Sequence, residues 1–190
     1  MKFHETELQG AYVIELEKIA DERGYFARAW CQHEFQKNGL DTTLVQCNLS
    51  CSLKKGTVRG MHYQDPPHAE NKLVRCTRGA LYDVIVDLRP DSPTFLRRTS
   101  AELTPDNGRM MYVPKGFAHG FQTLEDDTMA FYQVSEFYAR EDCRGVRWND
   151  PQLNLTWPLE VSVISAQDKG WGDLSSADLS PLKGLIPHLG

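Results

Sequence analysis

Period-two alternation governs the middle of this 190-residue chain. The run "TLVQCNLSCSL" (43–53) sets Gln46, Asn48, Ser50 and Ser52 on one face and Cys47, Leu49, Cys51 and Leu53 on the other. That is the pattern of a strand with two unlike faces. The polar row is uncharged, so it suits the wall of a polar cavity inside a barrel as well as open water. "ALYDVIVDLRP" (80–90), "RMMYVP" (109–114) and "TMAFYQVSEFY" (128–138) add β-branched and aromatic runs, bounded by "RPDSP", "TPDNG" and "PKG". Helical pattern is confined to "CQHEFQKNG" (31–39), which ends on a glycine stop, and to the C-terminal tail. Many short strands with frequent turns predict an all-β sandwich or jelly-roll barrel with short peripheral helices. The long amphipathic helices of a parallel α/β sheet are missing.

With 41% hydrophobic residues the chain can fill one core, and no stretch reads as a linker. A single domain over 1–190 is expected, with 171–190 as a peripheral packing tail. A net charge of -5 disfavours a general nucleic-acid binder. No apolar run approaches the roughly 20 residues that span a bilayer. The N-terminus "MKFHETELQG" lacks the apolar core of a secretion signal. A cytoplasmic protein without membrane partners is the expectation. The five cysteines contain no CxxC pair, and read as reduced thiols serving mostly as small apolar fillers, not as a zinc site.

The chemistry concentrates in two spaced motifs that resemble those of the cupins, small β-barrels that usually bind a metal. The first cupin motif has Gly, then His-x-His, then Glu and Gly. Here Gly56 is followed by His62, while Gln64 stands at the second histidine and Lys72 at the glutamate, ahead of Gly79. The second motif is matched in full by Gly108, Pro114, Gly116 and His119. The scaffold is kept and the metal site is dismantled, because an ammonium in place of a carboxylate puts positive charge where a dication would sit. No metal is expected. Lys72, with Arg59 nearby, supplies a positive field suited to a bound or transient anion, and His62 beside them is a candidate base.

"DERGYF", "RGMHYQ", "KLVRCTRG", "DVIVDLR", "YVPKGFAHGFQTL" and "RWNDP…LTW" occur in this order over roughly residues 3 to 170. On these motifs the chain resembles the dTDP-4-dehydrorhamnose 3,5-epimerases, the RmlC family of cupin-type jelly rolls. The resemblance implies a cofactor-independent epimerase of a nucleotide-linked 4-keto-6-deoxyhexose, serving deoxysugar and O-antigen precursor synthesis. It implies His62 as general base oriented by Asp168, Lys72 at the enolate oxygen, and Tyr132 as the acid on the opposite sugar face. Arg59 and Arg23 would hold the diphosphate, Gln46, Asn48 and His119 would line the sugar pocket, and Tyr138 would contribute to nucleotide binding. It further implies a homodimer that exchanges N-terminal strands, so that Arg23 and Phe26 serve the partner's site. The residue types fit the chemistry independently: a proton beside a ketone needs a base, a cation at the oxygen, and a second acid across the ring for inversion.

Several readings compete. Asp173 rivals Asp168, since "KGWGDLSSADL" departs from the family's Pro-Leu continuation. Asp83, on a strand that otherwise reads as core, needs a partner, and His119 is the candidate. His4, His33, His68 and His188 read as surface or loop residues. Arg28 stands where the family usually carries a glutamate near the partner's nucleotide base. Arginine has only donors, which suits cytosine acceptors better than the thymine N3–H. Either the nucleotide is CDP, or Arg28 meets a phosphate or solvent. Rival functions on this scaffold are a sugar-nucleotide ketoisomerase, a metal-dependent cupin enzyme and a non-catalytic sugar-nucleotide binder.

Overall fold

A computed structural model describes residues 1–186. The strands are β1 (Lys2–Glu5), β2 (Tyr12–Glu15), β3 (Ile19–Asp21), β4 (Gly24–Phe26), β5 (Gln46–Ser52), β6 (Val58–Gln64), β7 (Lys72–Arg78), β8 (Leu81–Asp87), β9 (Arg98–Leu103), β10 (Arg109–Val113), β11 (Phe117–Thr123), β12 (Thr128–Val134) and β13 (Cys143–Gly145). Two short helices join them, α1 (Gln32–Lys37) and α2 (Ala166–Gly170). One sheet runs β1-β2-β10-β7-β12-β5, the other β13-β6-β11-β8-β9, and β3-β4 form a separate hairpin. The pairings within all three are antiparallel. This is the jelly-roll architecture, with each strand burying one face between the sheets.

Three apolar clusters hold it. Val74, Cys76, Leu81, Ile85, Met111, Val113, Phe117 and Ala130 fill the space between the sheets. Met61, Tyr63, Val86 and Ala118, on the back of the five-stranded sheet, are covered by Leu153, Leu174 and Leu182. Phe35 of α1 packs on Tyr12, Ile14, Met110 and Tyr112 behind the other sheet. The tail is therefore a packing segment as far as Leu182. Its helical content reduces to α2 and single 3-10 turns at Leu174–Ser176 and Ser180–Leu182.

Two expectations change. Only Cys76 of the five cysteines is buried; Cys47 and Cys51 are exposed. They lie on the outer face of β5, an edge strand whose polar row turns inward. The aromatic run expected to stay extended to residue 138 leaves the sheet after Val134. There Gln46 Oε1 accepts from the Tyr138 N–H and Gln64 Oε1 from the Ala139 N–H, both at 2.9 and 2.8 Å respectively. Side-chain amides take over the role of a neighbouring strand.

Candidate active site

The inward polar residues gather around a cavity. A cavity of 410 Å³ is lined by Ser50, Arg59, His62, Lys72, His119, Tyr132 and Asp168 among others. A second lobe of 290 Å³ shares His62, Lys72, Tyr132 and Gln167, and adds Gln46, Asn48, Gln64, Glu70, Tyr138 and Cys143. The polar row of β5 thus faces the cavity and leaves Leu49 and Leu53 to the outside.

A bulge aims His62. His119 and Phe121 of β11 pair with His62 and Arg59 of β6, so Gly120 alone on one strand opposes Gly60 and Met61 on the other. The extra residue turns both Arg59 and His62 toward the cavity. Gly60 makes the bulge possible: its φ is +124°, and a Cβ there would strike the backbone of Gly120.

His62 Nε2 lies 2.6 Å from Asp168 Oδ1, across 106 residues of sequence. The Gly60 N–H donates to Asp168 Oδ2 at 3.2 Å. Burial pushes the Asp168 carboxyl up, but bonds from His62 and Gly60 outweigh it and hold the group below its usual value. An ionised carboxylate only accepts, so Nε2 carries the proton of this bond and Nδ1 keeps its lone pair. Asp173 instead pairs with Arg147 at 2.8 Å. Of the two aspartates, Asp168 is the one that meets His62.

Lys72 is not a bare cation. Its Nζ lies 3.0 Å from Glu70 Oε1, with both side chains close to nine-tenths buried. Arg59 bonds the Ser52 Oγ and the Cys51 carbonyl, each at 3.1 Å. His119 Nε2 meets Asp83 Oδ2 at 2.9 Å, the pair inferred for the core carboxylate. Gln64, at the lost metal-ligand position, donates to the His68 and Phe137 carbonyls. It clamps the loop that carries Tyr138. Among the described residues no three metal-ligating side chains come together.

The family model for dTDP-4-dehydrorhamnose 3,5-epimerase matches residues 5–176. The chain belongs to this family. The dTDP-4-dehydrorhamnose 3,5-epimerase of Sinorhizobium fredii is 44% identical over 181 residues, 95% of this chain and 93% of that protein. The Bacillus anthracis enzyme, crystallised with TDP and PPi bound, superposes with a TM-score of 0.88 at 41% identity, covering 91% of this chain and 99% of that one. ChmJ, a 3′-monoepimerase from Streptomyces bikiniensis in complex with dTDP-quinovose, gives 0.86 at 30% identity, covering 94% and 90%.

Not every expected residue of this epimerase-family chain reaches the cavity. Arg23 pairs with Asp21 on the β3-β4 hairpin and is 84% exposed. Phe26 is exposed beside it. Arg28 is exposed and pairs with Glu34, which also receives the N-terminal ammonium. His4 and His33 lie at the surface, and His68 pairs with Asp142 in a loop at 2.6 Å. His188 lies outside the described residues. Sequence reasoning missed Glu70 and Gln167. Glu70 is two residues from Lys72, the spacing that puts both on one face of an extended chain; Gln167 has no signal beyond its place next to Asp168. Cys143, read with the other cysteines as an apolar filler, lines the second lobe as a thiol that burial pushes up in pKa.

Proposed function

We propose that the protein epimerises a dTDP-linked 4-keto-6-deoxyhexose at C3, C5 or both, through an enolate and without a cofactor. The observation that carries this reading is the convergence of His62, Asp168, Lys72 and Tyr132 on one cavity. In the proposed step His62 Nδ1 removes a proton from the carbon beside the C4 ketone. The C–H electrons form the C=C bond of the enolate while the carbonyl electrons move to oxygen. Lys72 stabilises that oxygen. Tyr132 gives its phenolic proton to the opposite face as the enolate collapses back to the ketone, which inverts the centre. Proton exchange with solvent resets the imidazolium and the phenolate. Asp168 holds the imidazole and balances the charge it gains.

Arg59 would meet the diphosphate, and Gln46, Asn48 and His119 the sugar hydroxyls. Tyr138 would lie along the nucleotide. Arg23 and Phe26 complete the site only in a homodimer, where the hairpin enters the partner's cavity. Their exposure, with that of Ile19, Leu49 and Leu53, supports a partner surface of this kind. The thymidine nucleotides named for the related structures support dTDP over CDP. The Glu34 carboxylate beside Arg28 offers an acceptor near the position where a glutamate is otherwise expected.

The test is product identity. Equilibrated dTDP-4-keto-6-deoxyglucose is reduced with borohydride, and the ring configuration is assigned by NMR couplings. New configuration at C3 or C5 is expected. An unchanged ring, or turnover only of the CDP sugar, contradicts the proposal.

A further inference from the structure

The stretch "KGWGDL" (169–174) is where the chain leaves the family's Pro-Leu continuation. Trp171 follows the last residue of α2, three positions after Asp168. Its indole lies on Gly145, where a Cβ would collide with Cε2, Nε1 and Cδ2. Gly145 is the register partner of His62 across β13 and β6. The indole therefore reaches the His62 ring, with centroids 6.4 Å apart and planes at 67°, an edge-to-face contact. Trp171 is not among the residues lining either lobe. It touches the base without facing the cavity.

The helix that carries Asp168 is strapped at both ends. Ahead of it, the Val58 N–H donates to the Val163 carbonyl and the Ser162 N–H to the Gly56 carbonyl. Beyond it, the Arg147 N–H donates to the Gly172 carbonyl, and the Leu174 N–H to Asp150 Oδ2 at 2.7 Å. Between these anchors the indole packs against β13 and the His62 ring. Its Nε1 is buried without a hydrogen-bond partner among the described residues. A buried donor left unpaired is unfavourable, so apolar packing is what retains the ring there.

We infer that Trp171 is a positioning residue: it seats α2 so that Asp168 meets His62, and it shields the back of that pair from water. This rests on the reading of His62 as a base oriented by Asp168. A dry wall strengthens the charge-assisted bond between them, and a seated helix removes play between two groups that come from distant parts of the chain.

The test measures turnover of dTDP-4-keto-6-deoxyglucose by Trp171→Ala, Trp171→Phe, Gly145→Ala, Asp168→Asn, and the first and third combined with Asp168→Asn. Trp171→Ala and Gly145→Ala are each expected to lower kcat about tenfold with KM changed less than about twofold, and Trp171→Phe to recover most of the loss. In the Asp168→Asn background neither change lowers kcat further, because the group being positioned is gone. A full loss in that background overturns the inference, since a purely structural role acts independently of Asp168. Wild-type kcat in both Trp171→Ala and Gly145→Ala also overturns it. Should Trp171→Ala fail to fold, Gly145→Ala alone and with Asp168→Asn decides by the same criteria. Wild-type turnover in Asp168→Asn contradicts the underlying base assignment and the inference with it. An impaired Asp168→Asn beside an unaffected Trp171→Ala and Gly145→Ala contradicts the inference alone.

Discussion

Glu70 and Lys72 form an ion pair, 3.0 Å from Oε1 to Nζ, inside the cavity that holds His62. In the proposed mechanism the pair reconciles two demands on one lysine. An enolate needs a cation at its oxygen, and a buried cation needs a partner while the site is empty.

Lys72→Met should lower kcat by about 10² to 10³ and, by leaving Glu70 buried and unpaired, cost about 3 kcal/mol of stability. Adding Glu70→Gln should restore the stability and leave kcat low. Chemical denaturation and steady-state kinetics on both variants separate the two effects. Recovery of kcat in the double variant contradicts the role given to Lys72.

In the proposed mechanism Tyr132 acts after proton abstraction, so Tyr132→Phe should divide the reaction. Loss of the substrate proton to solvent should persist, while formation of the inverted sugar falls by about 10² to 10⁴. Time-resolved NMR in D₂O follows both. Equal loss of the two signals argues that Tyr132 does not supply the second proton.

Arg23 and His62 are both required by the proposed chemistry, yet Arg23 stands on an exposed hairpin outside the cavity of its own chain. If the hairpin serves a partner, Arg23→Ala and His62→Ala subunits should complement each other. Mixing and refolding the two inactive variants in equal amounts should return about a quarter of wild-type activity, because half the dimers are mixed and each has one intact site. No recovery in a mixture that contains mixed dimers contradicts strand exchange.

These relationships differ in how far they could be read from residues alone. The two faces of β5 are explicit in "QCNLSCS", but which face turns inward depends on the strands beside it. The outcome reverses the usual rule: Leu49 points out and Asn48 in. The bulge that aims Arg59 and His62 leaves one trace, Gly60. The choice of Asp168 over Asp173 depends on how a five-residue helix is anchored, and no local pattern encodes that. Strand ends are not legible in the sequence where side-chain amides, as at Tyr138, replace the ladder. Cys47 and Cys51 share the outward face with Leu49 and Leu53, since alternation specifies a face and not its direction.

Acid should weaken the fold through two aspartates. Burial raises the Asp87 carboxyl, but bonds from Arg89, Ser92 and Thr94 outweigh it and hold the group below its usual value, as His62 and Gly60 do for Asp168. A lowered folded pKa gives stability that is complete above the ordinary value of 3.8 and is lost as pH falls through the folded values. Stability measured by urea denaturation should therefore fall steeply with pH below about 4. Asp168→Asn should flatten that fall. An unchanged slope in the variant contradicts the ionised Asp168 assigned here.

The most direct measurement is deuterium exchange into the sugar. The protein is incubated in D₂O with dTDP-4-keto-6-deoxyglucose and, separately, its CDP counterpart, and C3 and C5 are followed by NMR. The account predicts deuterium at C3, C5 or both with the dTDP sugar, and its loss in His62→Asn. Folded wild-type protein that binds the nucleotide sugar and exchanges neither proton would contradict the epimerase mechanism and leave a binding protein in its place.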